Sequence, residues 1–132
     1  MKRRKTILTV HWEVDINFLI MSKFRNHVQL IGNIGEDPKI TNLDNGKKVA
    51  RFLMATNERY KNAKGESVQN TDWHTVVAWG RTAEIVEKYA AKGREVGVTG
   101  KLRSRHFETK EGTMRYVTEV VANEILLLGS SS

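Results

Sequence analysis

Residues 71–79 read Thr71-Asp72-Trp73-His74-Thr75-Val76-Val77-Ala78-Trp79 and run directly into Gly80-Arg81-Thr82-Ala83-Glu84-Ile85-Val86-Glu87-Lys88-Tyr89-Ala90. The first stretch is rich in β-branched and aromatic residues and holds no Gly or Pro, which predicts a strand whose side chains two apart share a face. Trp73, Thr75, Val77 and Trp79 then stand on one side, with Asp72, His74, Val76 and Ala78 on the other. The second stretch has helical spacing. Thr82 is placed as N-cap, Glu84 lies in the first turn, Ile85, Val86, Tyr89 and Ala90 form an apolar stripe, and Lys92-Gly93 ends the helix.

Strand patterns flank this unit on both sides. Val28 to Ile34 is a short apolar run closed by Gly35, and Val49 to Asn57 is a second. The turn signal Asp44-Asn45-Gly46 between them predicts a hairpin. In the second run Ala50, Phe52 and Met54 share one face as core residues, leaving Arg51 on the other. A polar stretch from Glu58 to Asn70 holds Lys64-Gly65 at its centre. Downstream, Glu95 to Phe107 and Thr113 to Leu128 are strand patterns separated by the turn Glu111-Gly112. The order β-β-β-α-β-β predicts an all-β fold with one helix, specifically the five-stranded Greek-key barrel called the OB-fold, with the helix between its third and fourth strands.

The chain has 132 residues, enough for a single domain with one core. No run approaches the roughly 20 apolar residues a helix needs to cross a bilayer, so a membrane partner is not expected. Cysteine is absent, which excludes disulfides and thiolate chemistry and fits a reducing compartment. Lys and Arg number 22 against 15 Asp and Glu, a net +7 that favours a polyanionic partner. Lys2-Arg3-Arg4-Lys5 resembles the charged start of a signal peptide, but His11, Glu13 and Asp15 break the segment that follows and no small-residue cleavage site appears. Secretion is therefore not expected, and a cytoplasmic location is. Two readings stand for residues 1–20: a half-buried strand, from the alternation of Val10, Trp12, Val14, Ile16 and Phe18, or an optional basic extension ahead of a start at Met21.

Function must be argued from side chains. Lys101, Arg103, Arg105 and Phe107 share one face of the fourth expected strand, while Val96, Val98, Gly100 and Leu102 occupy the opposite, core-type face. Cations at period two leading into an aromatic, beside a strand with two indoles on one side, suit a single-stranded nucleic acid: the cations meet phosphates and the flat rings stack on unpaired bases. Arg51, Tyr60, Lys61, Lys64 and Arg81 are candidates to extend this surface. A tryptophan taken singly is as often core as site. Here Ala50, Phe52 and Met54 already supply core side chains, so Trp73 and Trp79 are not needed in the interior.

Catalytic sets are missing: there is no P-loop, dinucleotide fingerprint, nucleophile elbow or HExxH pattern. His11, His27, His74 and His106 lack metal-ligand spacing, and Glu84 and Glu87 one helical turn apart read as a solvated face. No catalytic residue, metal or cofactor is expected. His74, alternating away from Trp73, reads as a satisfied core or interface histidine.

The segments NHVQLIGNIGEDPKI (26–40), FLMATNERY (52–60), TDWHTVVAWGRTAEIVEKYAAKG (71–93), VGVTGKLRSRHF (96–107) and RYVTEVVANEILLLG (115–129) together resemble the bacterial single-stranded DNA-binding protein family. The resemblance covers about residues 22 to 129 and keeps the order of every element. It implies an OB-fold domain over residues 21–129, flanked by the 1–20 extension and a short 130–132 tail. It implies a homotetramer that binds single-stranded DNA without sequence preference in replication, recombination and repair. By matching motif, Tyr60, Trp73, Trp79 and Phe107 fall at base-stacking positions, Arg103 and Arg105 at backbone-contacting positions, and His74 at a subunit interface. Tyr60 and Phe107 stand where other members often carry tryptophan. Typical members continue into a Gly/Pro/Gln-rich linker and an acidic tip that recruits replication and repair proteins, whereas this sequence ends at Gly129-Ser130-Ser131-Ser132. DNA binding without tail-borne recruitment is the corresponding expectation. Residue chemistry alone also leaves open an RNA binder, or a primosome-like protein-interaction module whose basic face docks on a partner.

Overall fold

A computed structural model describes residues 16–21 and 24–129. From residue 28 onward six strands and one helix follow in the order β1 (Val28–Ile34), β2 (Lys39–Asn42), β3 (Lys48–Lys61), β4 (Ser67–Trp79), the helix Arg81–Tyr89, β5 (Glu95–Glu108) and β6 (Met114–Leu127). The sheet runs β1-β5-β6-β4-β3-β2, and an additional β1–β3 pairing at Asn33↔Ala55 and Ile34↔Met54 closes five of the strands into a barrel. Of the barrel contacts, β4 and β6 alone run parallel, at Val76↔Val120 and Val77↔Val121. This closed barrel, with its helix between β4 and β5, is the OB-fold expected from the element order.

The strands alternate as a barrel requires, one face inward. Ala50, Phe52 and Met54 from β3, Val76 and Ala78 from β4, Val96 and Val98 from β5 and Val120 and Ala122 from β6 are buried together with Ile34. The helix seals the barrel with Ala83, Val86 and Ala90. A Lys48 Nζ–Glu87 Oε1 ion pair of 2.6 Å ties the start of β3 to this helix, so Glu87 is paired rather than merely solvated.

Three hairpins share one loop chemistry. In Leu43–Gly46, Asn62–Gly65 and Thr109–Gly112 the glycine N–H donates to the carbonyl of the residue three before it, at 2.9, 3.0 and 2.9 Å. Each glycine holds a positive φ, of 81°, 77° and 82° respectively, the left-handed position that closes a three-residue hairpin loop. Asn62 Oδ1 also accepts the backbone N–H groups of Lys64 and Glu66, at 3.0 and 2.9 Å.

Several expectations are corrected. The Asp44-Asn45-Gly46 turn joins β3 to the short strand β2, paired from Lys39↔Arg51 to Asn42↔Lys48, and not to β1. Four largely polar residues are too short a stretch for periodicity to reveal, so the strand count rises to six, with β2 appended outside the closed ring. The polar stretch Glu58–Asn70 is mostly strand, because β3 and β4 continue as a paired arm past the barrel to Lys61↔Ser67. Thr82 is not the N-cap. The chain turns at Gly80 (φ 59°), the helix starts at Arg81, and no side chain caps it. Tyr89 is exposed, and the buried helix face is Ala83, Val86 and Ala90. Leu102 is 48% exposed, not core, because β5 leaves the barrel after a bulge between Thr99 and Gly100 that leaves Asn123 as the extra residue on β6. Asn26 supports the departing strand, donating from Nδ2 to the Leu102 carbonyl at 3.0 Å and accepting the Leu102 N–H at Oδ1 at 2.9 Å. Of the strand expected over residues 10–18, only 16–18 lie within the described residues, and they belong to a helical segment, 16–21, where Phe18 to Met21 form an unbroken apolar run.

Met54 is fully buried at the β1–β3 closure. Met54→Ala is expected to lower unfolding stability by about 2–5 kcal/mol. The check is a urea titration, in which the midpoint falls while the slope is retained.

Candidate single-strand nucleic-acid interface

The site grows from the same alternation that builds the core. Along β3 and β4 the register is unbroken from Val49↔Trp79 through Arg51↔Val77 and Leu53↔Thr75 to Ala55↔Trp73. Opposed residues in an antiparallel pair share a face, so Arg51, Leu53, Trp73, Thr75, Val77 and Trp79 lie on the side opposite Phe52 and Met54. The parallel pair Val77↔Val121 carries this face onto β6. The antiparallel pairs Lys101↔Val121, Arg103↔Glu119, Arg105↔Val117 and Phe107↔Arg115 carry it onto β5. One surface across four strands thus holds two indoles, a phenyl ring and the cations Arg51, Lys101, Arg103 and Arg105.

The rings are open to solvent. Trp73 is 60% exposed, Trp79 48% and Phe107 40%, far from the values of the core. Trp73 rests on Gly35: a Cβ built there would sit 2.4 Å from the ring atom Cζ3, so the indole lies directly on bare backbone. Trp79 closes β4 beside the helix start. The Arg105 guanidinium carbon lies 5.9 Å from the Phe107 ring centroid, within cation–π range.

A carboxylate that the sequence reading passed over sits at the middle of this surface. Glu119 is 5% exposed. Its Oε1 accepts the Arg105 Nε–H at 2.9 Å, and its Oε2 lies 2.7 Å from Arg51 Nη1. Arg51 reaches it across β4 from a position opposite Val77. The signal available in the sequence was a charge set between Val117 and Val121 on an otherwise apolar face, but which arginines it meets depends on pairing across three strands.

The remaining expected site residues are placed less centrally. Lys61 and Tyr60 lie exposed at the end of the β3–β4 arm. By strict alternation Lys61 continues the Trp73 face, while Tyr60 continues the core face beyond the barrel, so the structure does not bring Tyr60 alongside the indoles. Lys64 is exposed in the loop, and Arg81 is exposed at the first helical residue. His74 is half-buried on the face opposite Trp73, with Nε2 2.9 Å from Thr56 Oγ1. Among the described residues no group of three or more His, Cys, Asp or Glu side chains is placed to hold a metal ion, and no helix is long and apolar enough to cross a membrane.

A closed Greek-key barrel whose exposed sheet face joins stacking rings to cations has the architecture of a single-strand nucleic-acid binding module. Comparison with known proteins agrees with that class. The model of the single-strand binding protein family matches residues 25–128, and the chain belongs to this family. It is 38% identical over 111 residues to single-stranded DNA-binding protein 1 of Chlorobaculum tepidum, covering 83% of this chain and 68% of that protein. It is 43% identical over 105 residues to the single-stranded DNA-binding protein of Bacteroides thetaiotaomicron, covering 78% and 65%. The chain thus spans about two thirds of the length of these two relatives. A solved structure, the Plasmodium falciparum SSB complex with ssDNA, superposes with a TM-score of 0.72 at 34% identity, over 79% of this chain and 95% of that one.

The Gly35 contact makes a direct prediction. In Gly35→Ala the added methyl displaces the Trp73 ring, the mobile partner in the contact. Tryptophan emission and near-ultraviolet dichroism are expected to change, while the melt stays within about 1 kcal/mol, since a ring at the surface relaxes at little cost. An unchanged spectrum would show that the ring does not rest on Gly35.

Proposed function

We propose that this chain binds single-stranded DNA without sequence preference, stacking bases on Trp73, Trp79 and Phe107 and meeting phosphates with Arg51, Lys101, Arg103 and Arg105. The observation that carries the reading is the solvent exposure of the two indoles on the face opposite a complete core, with cations from β3 and β5 around them. Every base offers a π-face, so stacking tolerates any sequence, and each stacked base is worth about 1–3 kcal/mol. Lys61 and Arg81 extend the path of the strand toward the β3–β4 arm and the helix start. The action is protective binding of strands exposed in replication, recombination and repair, with no chemical step and no cofactor. Membership of the family and the relatives named for single-stranded DNA support this reading.

Affinity for oligo-dT is expected to fall linearly on a log–log salt plot, with a slope near −0.7 for each phosphate neutralised. An affinity that stays flat across the titration contradicts phosphate contact. Trp79→Ala is expected to weaken binding by about 1–3 kcal/mol at an unchanged melting temperature. Loss of folding instead would assign Trp79 to the core.

The working unit is a homotetramer. Its support in the structure is a second apolar patch, on β1, β5 and β6, where Ile31 and Leu126 are 60% and 61% exposed on either side of Gly97. His74, half-buried beyond the core, is proposed at a subunit contact. Light scattering is expected to return four times the chain mass, and Leu126→Lys to reduce it, because burying an unpaired ammonium opposes association. A monomeric wild type would refute the tetramer while leaving DNA binding untouched.

A further inference from the structure

Glu119 poses a problem for a surface that meets phosphates. It is a buried carboxylate, of the wrong sign for a polyanion, in the middle of the aromatic and cationic face. Burial of an unpaired carboxylate is costly, and this one is met by two cations: Oε1 accepts a hydrogen bond from Arg105, and Oε2, which accepts no hydrogen bond, lies 2.7 Å from Arg51 as an ion pair. The two arginines come from β5 and β3, on opposite sides of β6 and β4 in the sheet. Arg103, directly opposite Glu119 in register, is not among its ion partners. The guanidinium groups are not consumed by the contact: their side chains remain 44% and 45% exposed. Arg105 gives its Nε–H and keeps its Nη end, while Arg51 meets Oε2 as an ion pair out of hydrogen-bond alignment, so each fork still has donors to offer.

Resting on the single-stranded DNA reading above, we infer that Glu119 is a positioning residue for DNA: one carboxylate fixes the guanidiniums of Arg51 and Arg105 on the binding face and cancels one of their two charges. The trio carries +1 instead of +2. Two consequences follow from the geometry. The arginines meet phosphate as oriented hydrogen-bond donors, with their side chains already ordered, so less freedom is lost on binding. The centre of the face also releases about one counterion fewer than its arginine count suggests, which shifts reliance toward the rings and makes binding more tolerant of salt. Arg105 is held beside Phe107 by the same contact, so one carboxylate also orders a cation next to a stacking ring.

The test is Glu119→Gln, which keeps the side-chain size and an acceptor oxygen but removes the charge. Oligo-dT affinity of wild type and variant is measured across a salt series, with a thermal melt of each. The variant line is expected to steepen by about 0.7, one further phosphate, so that the ratio of variant to wild-type affinity falls about fivefold for each tenfold rise in salt. Parallel lines from a folded variant overturn the inference, since a carboxylate that merely braced the sheet would shift stability and leave the slope alone. Should the variant fail to fold, Arg51→Gln, Arg105→Gln and their double variant decide the matter on the wild-type Glu119. Coupling through the shared carboxylate makes the double loss exceed the product of the single losses by at least about twofold. A multiplicative result overturns the inference. Failure of wild type to bind oligo-dT at any salt would instead overturn the function on which it rests.

Discussion

Alternation along one uninterrupted antiparallel pair governs this molecule. From Val49↔Trp79 to Lys61↔Ser67, β3 and β4 stay in register. Because the side-chain period of a strand is two, the same residues that place Phe52, Met54 and Val76 inside the barrel place Arg51, Trp73 and Trp79 outside it. A slip of one residue would bury the indoles and expose the core, so core formation itself holds the binding face in place. The hydrophobic drive to fold thereby also orients the groups that recognise a ligand.

The open face extends from this pair by two further pairings of different kinds. The parallel contact of β4 with β6 brings Val121 and Glu119 alongside Val77 and Thr75, and the long β5–β6 hairpin then adds Lys101 to Phe107. Past the bulge at Gly100 the hairpin has no barrel wall against it, which leaves its cations and Phe107 accessible. Its own support is local: the Asn26 side chain bonding both backbone groups of Leu102, the Ser104–Thr118 hydroxyl pair, and Glu119 beneath Arg105. An ion pair exposed to water contributes little, but one anchored on a buried carboxylate has a fixed geometry, and here that geometry lies where a nucleic acid would contact the sheet.

Much of this was legible in local sequence, and the reasons are physical. Trp73 and Trp79 separated by five residues, and Ala50, Phe52 and Met54 at period two, are patterns that only a strand converts into opposite faces. Lys101, Arg103, Arg105 and Phe107 were readable for the same reason. What was not legible depended on partners distant in the chain. Strand β2 exists because Lys39–Asn42 finds the free edge of β3. Leu102 looks like core by alternation, yet the barrel ends before it. Gly80 displaced Thr82 from the helix start because the turn out of β4 fell two residues earlier than the capping pattern indicated. Glu119 was the largest omission: its two arginines are 68 and 14 residues away in the chain, and no local pattern names them.

The central claim, that single-stranded DNA lies across the β3-β4-β6-β5 face, is tested most directly by photocross-linking a halogenated oligo-dT to the protein and identifying the modified residues by mass spectrometry. The account predicts adducts at Trp73, Trp79 and Phe107. Adducts confined to the Ile31 and Leu126 surface beside Gly97 would contradict it.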